Sequence, residues 1–301
     1  MKKFIGIDLG GTNVRTAMID EEGKVLDVNK SASNPELGPE HVVDTIAALV
    51  KQLDHYEEAV SAGIAVPGLI DPEAGTITAA NNLALLVDYP LTASLSQQLH
   101  GIPVYLANDG KAAAVGEALA GAGKGKSVVY YITVSTGIGG AAVIDGQVLT
   151  GRHGFAGEVG NMIVNQREDK AGIMNKGAVE TSASGTALTR KGQKRIDPSI
   201  QHAGQVFDLA RQKNEQAMQI VDEMTEDLST LLSSVALVMD PDVIVLGGGV
   251  MKGKDVFFSD LKHKWQDKIF DAMKDTQLVE AGLDEPGIIG AAMYAMTCHM
   301  D

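Results

Sequence analysis

Residues 7–20 and 132–145 are two copies of one unit, and this repeat limits what the chain can fold into. The first reads Ile-Asp-Leu-Gly-Gly-Thr-Asn-Val-Arg-Thr-Ala-Met-Ile-Asp, the second Ile-Thr-Val-Ser-Thr-Gly-Ile-Gly-Gly-Ala-Ala-Val-Ile-Asp. They align without a gap, from Ile7 on Ile132 to Asp20 on Asp145. Each copy reads as a strand, a Gly/Thr turn and a second strand. An acidic-glycine turn follows, Glu22-Gly23 or Asp145-Gly146, and then a third short strand, Lys24-Val25-Leu26 or Gln147-Val148-Leu149. Repetition of a whole supersecondary unit speaks to architecture. It predicts two similar α/β domains, each offering one phosphate-binding hairpin to a shared cleft.

The chemistry of the first copy lies in Asp8-Leu9-Gly10-Gly11-Thr12. Two glycines let the backbone approach a ligand and take positive φ. Exposed amides and the Thr12 hydroxyl suit phosphate oxygens, and Asp8 suits a hydrated Mg²⁺ near them. A hairpin turn with a solvated Asp fits the same residues. The second copy tips the balance towards phosphate, with Thr133, Ser135, Thr136, Gly137 and Gly139 as its ligand candidates.

At 301 residues the length suggests about two domains. Hydrophobic residues make up 45%, enough for real cores, but aromatics only 4%, so aliphatic side chains must fill them. The net charge of −14 argues against nucleic acid as a partner, which needs clustered Lys and Arg. The single cysteine, Cys298, excludes an intramolecular disulfide. The apolar run after Lys2-Lys3 meets Asp8 too early for a signal peptide, and no stretch has the apolar length of a membrane span. The expected location is the cytoplasm.

Along the chain, 31–39 reads as a loop. Val42, Val43, Ile46, Leu49, Val50 and Leu53 form one helical face. A strand over 60–66 ends at Pro67-Gly68, 71–75 reads as a turn, and Asn81-Asn82 sits in a loop. A helix over 91–99 and a strand over 103–107 lead to Asn108-Asp109-Gly110 and an alanine-rich helix over 111–120. Residues 151–200 are polar, glycine-rich and resist assignment. The spacing predicts a long helix over 217–239 with Met224, Leu228, Leu231, Val235 and Val238 on one side. A strand over 242–246, a helix over 256–270, a strand over 277–281 and a small-residue helix over 288–300 complete the chain. Alternation of this kind signals sheets faced by helices.

Asn108-Asp109 precedes a helix, so one reading is an N-cap. The other is a catalytic carboxylate, since phosphoryl transfer asks for one base that reaches a hydroxyl. Between two phosphate hairpins the base is favoured at Asp109. Gly247-Gly248-Gly249 after a strand would let a nucleotide lie against the backbone, or would pack a βα turn. Glu158 lies between glycines ahead of Asn161, and Glu180 precedes Ser182 and Ser184. These side chains suit sugar hydroxyls, although taken alone they fit loop polarity better. His153 has no second His or Cys at ligand spacing, which argues against a metal there.

In order, these motifs resemble the sugar-kinase, Hsp70 and actin superfamily. The terminal Gly290-Ala291-Ala292 belongs to the pattern. Within the superfamily, Gly154-Phe155-Ala156-Gly157-Glu158-Val159-Gly160 and Glu180-Thr181-Ser182-Ala183-Ser184-Gly185-Thr186-Ala187 resemble the ROK family of repressors, open reading frames and kinases. The resemblance runs from the first strand to the last helix. It implies an α/β fold of two actin-like, ribonuclease H-like domains with a cleft between them. It implies ATP with Mg²⁺, phosphorylation of a hexose hydroxyl and a homodimer. The corresponding division is 1–108, 109–286, and a terminal helix over 287–301 that packs back on the N-terminal domain. Asp109 matches the family's general base. Asn108, Glu158 and Glu180 match its sugar ligands, and Asn81, Asn82 and Asn161 are further sugar-binding candidates. Asp8, Gly10, Gly11, Thr12 and the second hairpin match the phosphate clamps, and Gly247 and Gly248 the adenosine motif.

Two departures stand out. The family usually carries His at the position of Asn161, where it binds zinc and sugar. It also carries a zinc run, Cys-x-Cys-Gly-x-x-Gly-Cys-x-Glu, whose cysteine positions are here Ala171, Ile173 and Ala178. No zinc is therefore expected, and apolar packing of Ile173 and Met174 is expected to hold the loop over 165–177. Ser135 stands where the second turn usually has glycine. The leading reading is an ATP-dependent, glucokinase-like hexose kinase without nucleic-acid or membrane partners. N-acetylmannosamine, N-acetylglucosamine, fructose and β-glucosides remain alternative sugars. A repressor would need an N-terminal DNA-binding segment, and the first strand begins near Met1. A sugar sensor with feeble catalysis is the third reading, opposed by Asp109.

Overall fold

The computed structural model describes residues 2–167 and 170–300. The chain divides into two compact units: Met1–Gly125 with Val143–Gly154 and Gly282–Asp301, and Lys126–Ala142 with Phe155–Ala281. The sequence-based division put a boundary at 108/109. Residues 109–125 and 143–154 instead group with the first unit.

The first unit is built on a sheet of order β3-β2-β1-β4-β7. Its strands are β1 (Lys3–Leu9), β2 (Asn13–Asp20), β3 (Val25–Ala32), β4 (Ala59–Val66) and β7 (Val104–Asn108), with a two-stranded hairpin of β5 (Leu69–Asp71) and β6 (Thr76–Ala79) beside them. Helices α1 (Pro39–Val50), α2 (Leu91–Gln98) and α3 (Asp109–Leu119) follow in chain order. Strand β1 is nearly all buried, as a central strand with apolar side chains on both faces should be. It pairs antiparallel with β2, from Lys3↔Asp20 to Leu9↔Val14, and parallel with β4. Strand β3 is longer than the expected three residues because it is an edge strand. Its Asn29, Lys30 and Ser31 hide the pattern, and Val25, Leu26 and Val28 are exposed. The span over 71–75 is the turn of the β5–β6 hairpin, which the sequence reading did not resolve into strands.

The last helix, α9 (Pro286–Met300), also belongs to the first unit. It approaches the sheet and α3 at backbone distance. A Cβ on Gly63 would lie 1.9 Å from the Ala291 carbonyl oxygen, one on Gly6 2.1 Å from that of Ile288, and one on Gly290 1.9 Å from that of Ala112. Only glycine fits at such approaches, which is the physical reason for the small-residue helix.

The second sheet has the order β10-β9-β8-β11-β12, from β8 (Val128–Val134), β9 (Ile138–Ile144), β10 (Gln147–Val148), β11 (Val243–Gly247) and β12 (Gln277–Glu280). Its helices are α4 (Val179–Ala183), α5 (Gly185–Arg195), α6 (Ala203–Arg211), α7 (Glu215–Met239) and α8 (Lys254–Gln266). The second unit's core gathers on α7, where Met224, Leu228, Leu231 and Val235 are buried against Phe257, Leu261 and Trp265. The expected fifth member of that face, Val238, is 79% exposed, because the helix ends one residue later and leaves the core. Likewise α8 stops at Gln266, short of the expected Phe270, which is exposed. Helices α5 and α6 fill part of the region that resisted assignment. Among the described residues, no helix is long and apolar enough to cross a membrane.

Candidate active site

In the first unit, the turn between β1 and β2 is closed by the Gly10 amide donating to the Asn13 carbonyl at 2.9 Å. Neither Gly10 nor Gly11 has positive φ, contrary to expectation. Gly11 is required by space instead, since a Cβ there would come 2.7 Å from that of Asn82. This contact brings the exposed Asn81-Asn82 loop to the hairpin, and Thr12 lies exposed beside it. Asp8 sits across the β-ladder from Arg15, which forms an ion pair with Glu285. Burial pushes the Asp8 carboxyl above its ordinary range. Arg15 opposes that shift, and the charges of Asp109 and Glu285 add to it.

Asp109 is brought to the same place by the end of β7. Asn108 ends the strand and caps α3, its Oδ1 accepting from the Gly110 amide at 3.0 Å and the Lys111 amide at 3.3 Å. Its Nδ2 donates to the Gly68 carbonyl at 3.0 Å. The capping role that competed for Asp109 is thus filled by its neighbour. Asp109 occupies the first helical turn with its side chain exposed, and Oδ1 accepts from the Gly110 amide at 2.8 Å. Lys111 donates to the Gly154 carbonyl, a contact that no motif announced.

In the second unit, Ser135 and Thr136 are exposed at the β8–β9 turn. The start of α5 holds that turn: the Gly185 amide donates to the Ser135 carbonyl at 2.7 Å, and the Thr186 amide to that of Thr136 at 3.3 Å. Glu180 on α4 reaches back to the turn, and its Oε2 accepts from the Ile138 amide at 2.8 Å. Gly137 and Gly160 leave room for that carboxylate, since a Cβ on either would come within 2.5 Å and 3.2 Å of its Oε2. Gly247 and Gly248 lie against the end of β8; Gly248 has φ +92°, and a Cβ there would stand 2.8 Å from the Thr133 hydroxyl. Thr133 is partly buried, and Gly139 faces its methyl.

A cavity of about 950 Å³ opens beside this turn, wholly within the second unit. Its walls include Ser135, Thr136, Gly185, His202, Gly249 and Lys252. That volume suits a nucleotide-sized ligand. Arg190, His202 and Lys252 were not singled out from the sequence. They come from α5, the residue that caps α6 and the turn after β11, and no local motif joins them.

Glu158 precedes the 3-10 turn Val159–Asn161 and Asn161 ends it, and both are exposed. Burial, with the charge of Glu158 next in weight, pushes the Tyr130 hydroxyl up to about 12. Asn161 is held by Asn175, whose amide donates to Oδ1 at 2.6 Å and whose Nδ2 donates to the Asn161 carbonyl at 3.2 Å. The expected apolar packing of the loop is not found at Ile173, which is 88% exposed. Polar bonds do that work, because the loop carries many amides and few apolar side chains. Of its residues, Glu168 and Asp169 lie outside the described ones. Among the described residues, no group of three or more His, Cys, Asp or Glu is arranged to hold a metal ion.

The sequence profile of the ROK family matches residues 4–297. A glucokinase of Thermotoga maritima is 32% identical over 305 aligned positions, covering 96% of this chain and 96% of that one. The crystal structure of a ROK hexokinase from Thermus thermophilus matches with a TM-score of 0.90 at 29% identity, covering 99% of both chains. A ROK family glucokinase from Streptomyces griseus, crystallised with glucose and AMPPNP, matches with a TM-score of 0.76 at 29% identity, over 98% of this chain and 99% of that one. On the full-length profile match and the full-length relatives, the chain belongs to the ROK family.

Proposed function

We propose that this chain transfers the γ-phosphoryl group of ATP to a hydroxyl of a hexose, with glucose the first sugar to test. The observation that carries the reading is Asp109: an exposed carboxylate on the first turn of α3, beside Asp8, with the capping role filled by Asn108. Family membership and the glucokinase and hexokinase relatives support it.

Asp109 takes the proton from the attacking sugar hydroxyl. Such a base contributes about 10²–10⁴-fold. The amides and hydroxyls of Gly10 to Thr12, and those of Thr133 and Ser135 to Gly139, hold phosphate oxygens. The rest of the nucleotide takes the cavity between Ser135 and Gly249, against Gly247 and Gly248. Asn81, Asn82, Asn108, Glu158, Asn161 and Glu180 orient sugar hydroxyls by accepting and donating hydrogen bonds. Asp8 fits a hydrated Mg²⁺, because a carboxylate crowded by burial and by Asp109 and Glu285 gains from a cation. Bound there, Mg²⁺ would neutralise phosphate charge. A homodimer in the cytoplasm completes the reading, and light scattering of the purified protein tests the assembly.

ADP release measured on a panel of hexoses tests the function. The panel takes glucose, fructose, N-acetylmannosamine, N-acetylglucosamine and a β-glucoside. Release dependent on one of them is the expected result. Sugar binding without ADP release from any of them would leave a sensor rather than a kinase.

A further inference from the structure

Asp227 is a carboxylate on α7 whose side chain is 2% exposed, and nothing in the proposed chemistry uses it. Buried carboxylates are costly unless bonded. Among the described residues, Asp227 is bonded through its side chain to one segment: its Oδ2 accepts from Asn165 Nδ2 at 2.9 Å, and its Oδ1 from Arg167 Nη2 at 2.6 Å. Asn165 in turn accepts the Arg167 amide on its own Oδ1 at 2.8 Å. The three side chains form a clamp between a rigid helix and a loop.

That loop is the return of a small β-bridge. Ile163 pairs with Ala178, the Val164 amide donates to the Gly177 carbonyl at 2.9 Å, and the Val179 amide to that of Met162 at 2.9 Å. One arm continues back through Met162 into Asn161 and Glu158. The other continues forward into α4 and Glu180. Gly177 closes the base at φ +74°, where a Cβ would stand 1.8 Å from the Asn165 carbonyl oxygen. The residue that anchors to Asp227 is thus the one against which the two arms are closed.

We propose that Asp227 is a positioning residue: by clamping Asn165 and Arg167 to α7, it fixes the bridge that sets Glu158 and Asn161 relative to Glu180. The proposal rests on the reading of those three residues as sugar ligands. It makes sugar affinity depend on an ion pair that touches no sugar.

The test takes Asp227→Asn, which keeps the shape and loses the charge, Asp227→Ala, and Arg167→Gln, which alters the half-exposed end. Two measurements are made on each full-length variant. Hydrogen exchange of the amides over 162–165 and 177–180 should speed up, most in Asp227→Ala. The KM for sugar should rise about tenfold or more, as misplacement of orienting groups does, while the KM for ATP stays within about twofold. A merely structural role would lower the active fraction, dropping kcat with both KM values unchanged, and that result overturns the proposal. So does unchanged exchange in a folded variant, or faster exchange with unchanged sugar KM. If Asp227→Ala does not fold, the other two variants carry the same readouts. If the wild-type protein releases no ADP with any hexose, the kinase reading fails. Sugar affinity by calorimetry then replaces the KM, with the same expected weakening and the same overturning result.

Discussion

Replacing Asp109 by asparagine separates a base from a helix cap, because the two readings differ in both size and kind of effect. If Asp109 is the base, Asp109→Asn removes a proton acceptor and leaves the shape of the site. The expected loss in kcat is about 10²–10⁴-fold, or about 2.7–5.5 kcal/mol at the transition state. If Asp109 only decorates the start of α3, the loss is one of stability. Asn108 still caps the helix through its bonds to the Gly110 and Lys111 amides. The asparagine would also keep an oxygen for the Gly110 amide that Asp109 now receives at 2.8 Å. What goes is a negative charge at a helix N-terminus, worth about 0.3–1 kcal/mol. At about 2–4 °C per kcal/mol, the melting temperature should then fall by no more than a few degrees. Steady-state ADP release, with calorimetric sugar binding and a thermal melt on the same preparation, reads both quantities. The expected pattern is a collapse of kcat with sugar affinity largely spared and a nearly normal melt. A variant with near-normal kcat would remove Asp109 from the base role and refute the reasoning.

Three further outcomes are expected. Asp8 has its folded-state pKa raised, chiefly by burial against the pull of Arg15, with Asp109 and Glu285 adding to the rise. Its contribution to stability is therefore full below the unfolded value and lost as pH rises through the folded one. Asp8→Asn should then melt higher than wild type near neutral pH without ligands and lose that gain in acid, while its activity falls; a lower melt at neutral pH would contradict this. Glu117 is fully buried and accepts from the Ala122, Gly282 and Leu283 amides, each at 2.9 Å. Glu117→Ala removes the shared acceptor of three partly exposed amides, and hydrogen bonds to a charged group contribute about 1.5–3 kcal/mol each, so urea unfolding should show a loss of at least about 1.5 kcal/mol, with Glu117→Gln milder; a loss under about 0.5 kcal/mol would mean that water satisfies those amides. Finally, a strong zinc chelator in excess Mg²⁺ should leave activity and melting temperature unchanged, and one tightly bound zinc per chain in metal analysis would sink that expectation.

The parts of the fold that were legible in the sequence are those whose signal is local. The β1–β2 and β8–β9 hairpins show as apolar runs broken by glycine, and α7 shows its buried face at helical spacing through Val235. Strand β3 was cut short because an edge strand tolerates Asn29, Lys30 and Ser31. The over-long ends at Val238 and Phe270 share another cause: an apolar residue that fits a helical period can still lie past the last residue the core covers. The candidate residues were legible as types, but their partners were not. Glu180 bonds the amide of Ile138 across 42 positions of sequence. Asp227 and Asn165 are 62 apart. Such pairings are products of tertiary packing, and neither period nor spacing carries them. The walls of the nucleotide-sized cavity are a similar case, assembled from separate turns that look ordinary one by one.

The two copies of the repeat differ at the position that carries the carboxylate. In the alignment Asp8 falls on Thr133, so the strand that carries a carboxylate in the first hairpin carries a hydroxyl in the second. The second hairpin receives its carboxylate from elsewhere, since Glu180 delivers Oε2 to the Ile138 amide from α4. The two acids meet different fates. Asp8 has its carboxyl held above the usual range, chiefly by burial and against the pull of Arg15, with the charges of Asp109 and Glu285 adding to the rise. Glu180 has one oxygen committed to a backbone amide, which fixes its orientation. A carboxylate on the strand can move only with the strand. One borrowed from α4 is set by whatever holds α4, and the bridge from Met162 to Val179 leads from there to Asn165 and Asp227. Two hairpins of one sequence pattern are thus held differently, the first beside charged groups and the second by a loop. If Glu180 orients a sugar hydroxyl as proposed, Glu180→Gln should raise the KM for sugar more than the KM for ATP, and the reverse order would contradict that role.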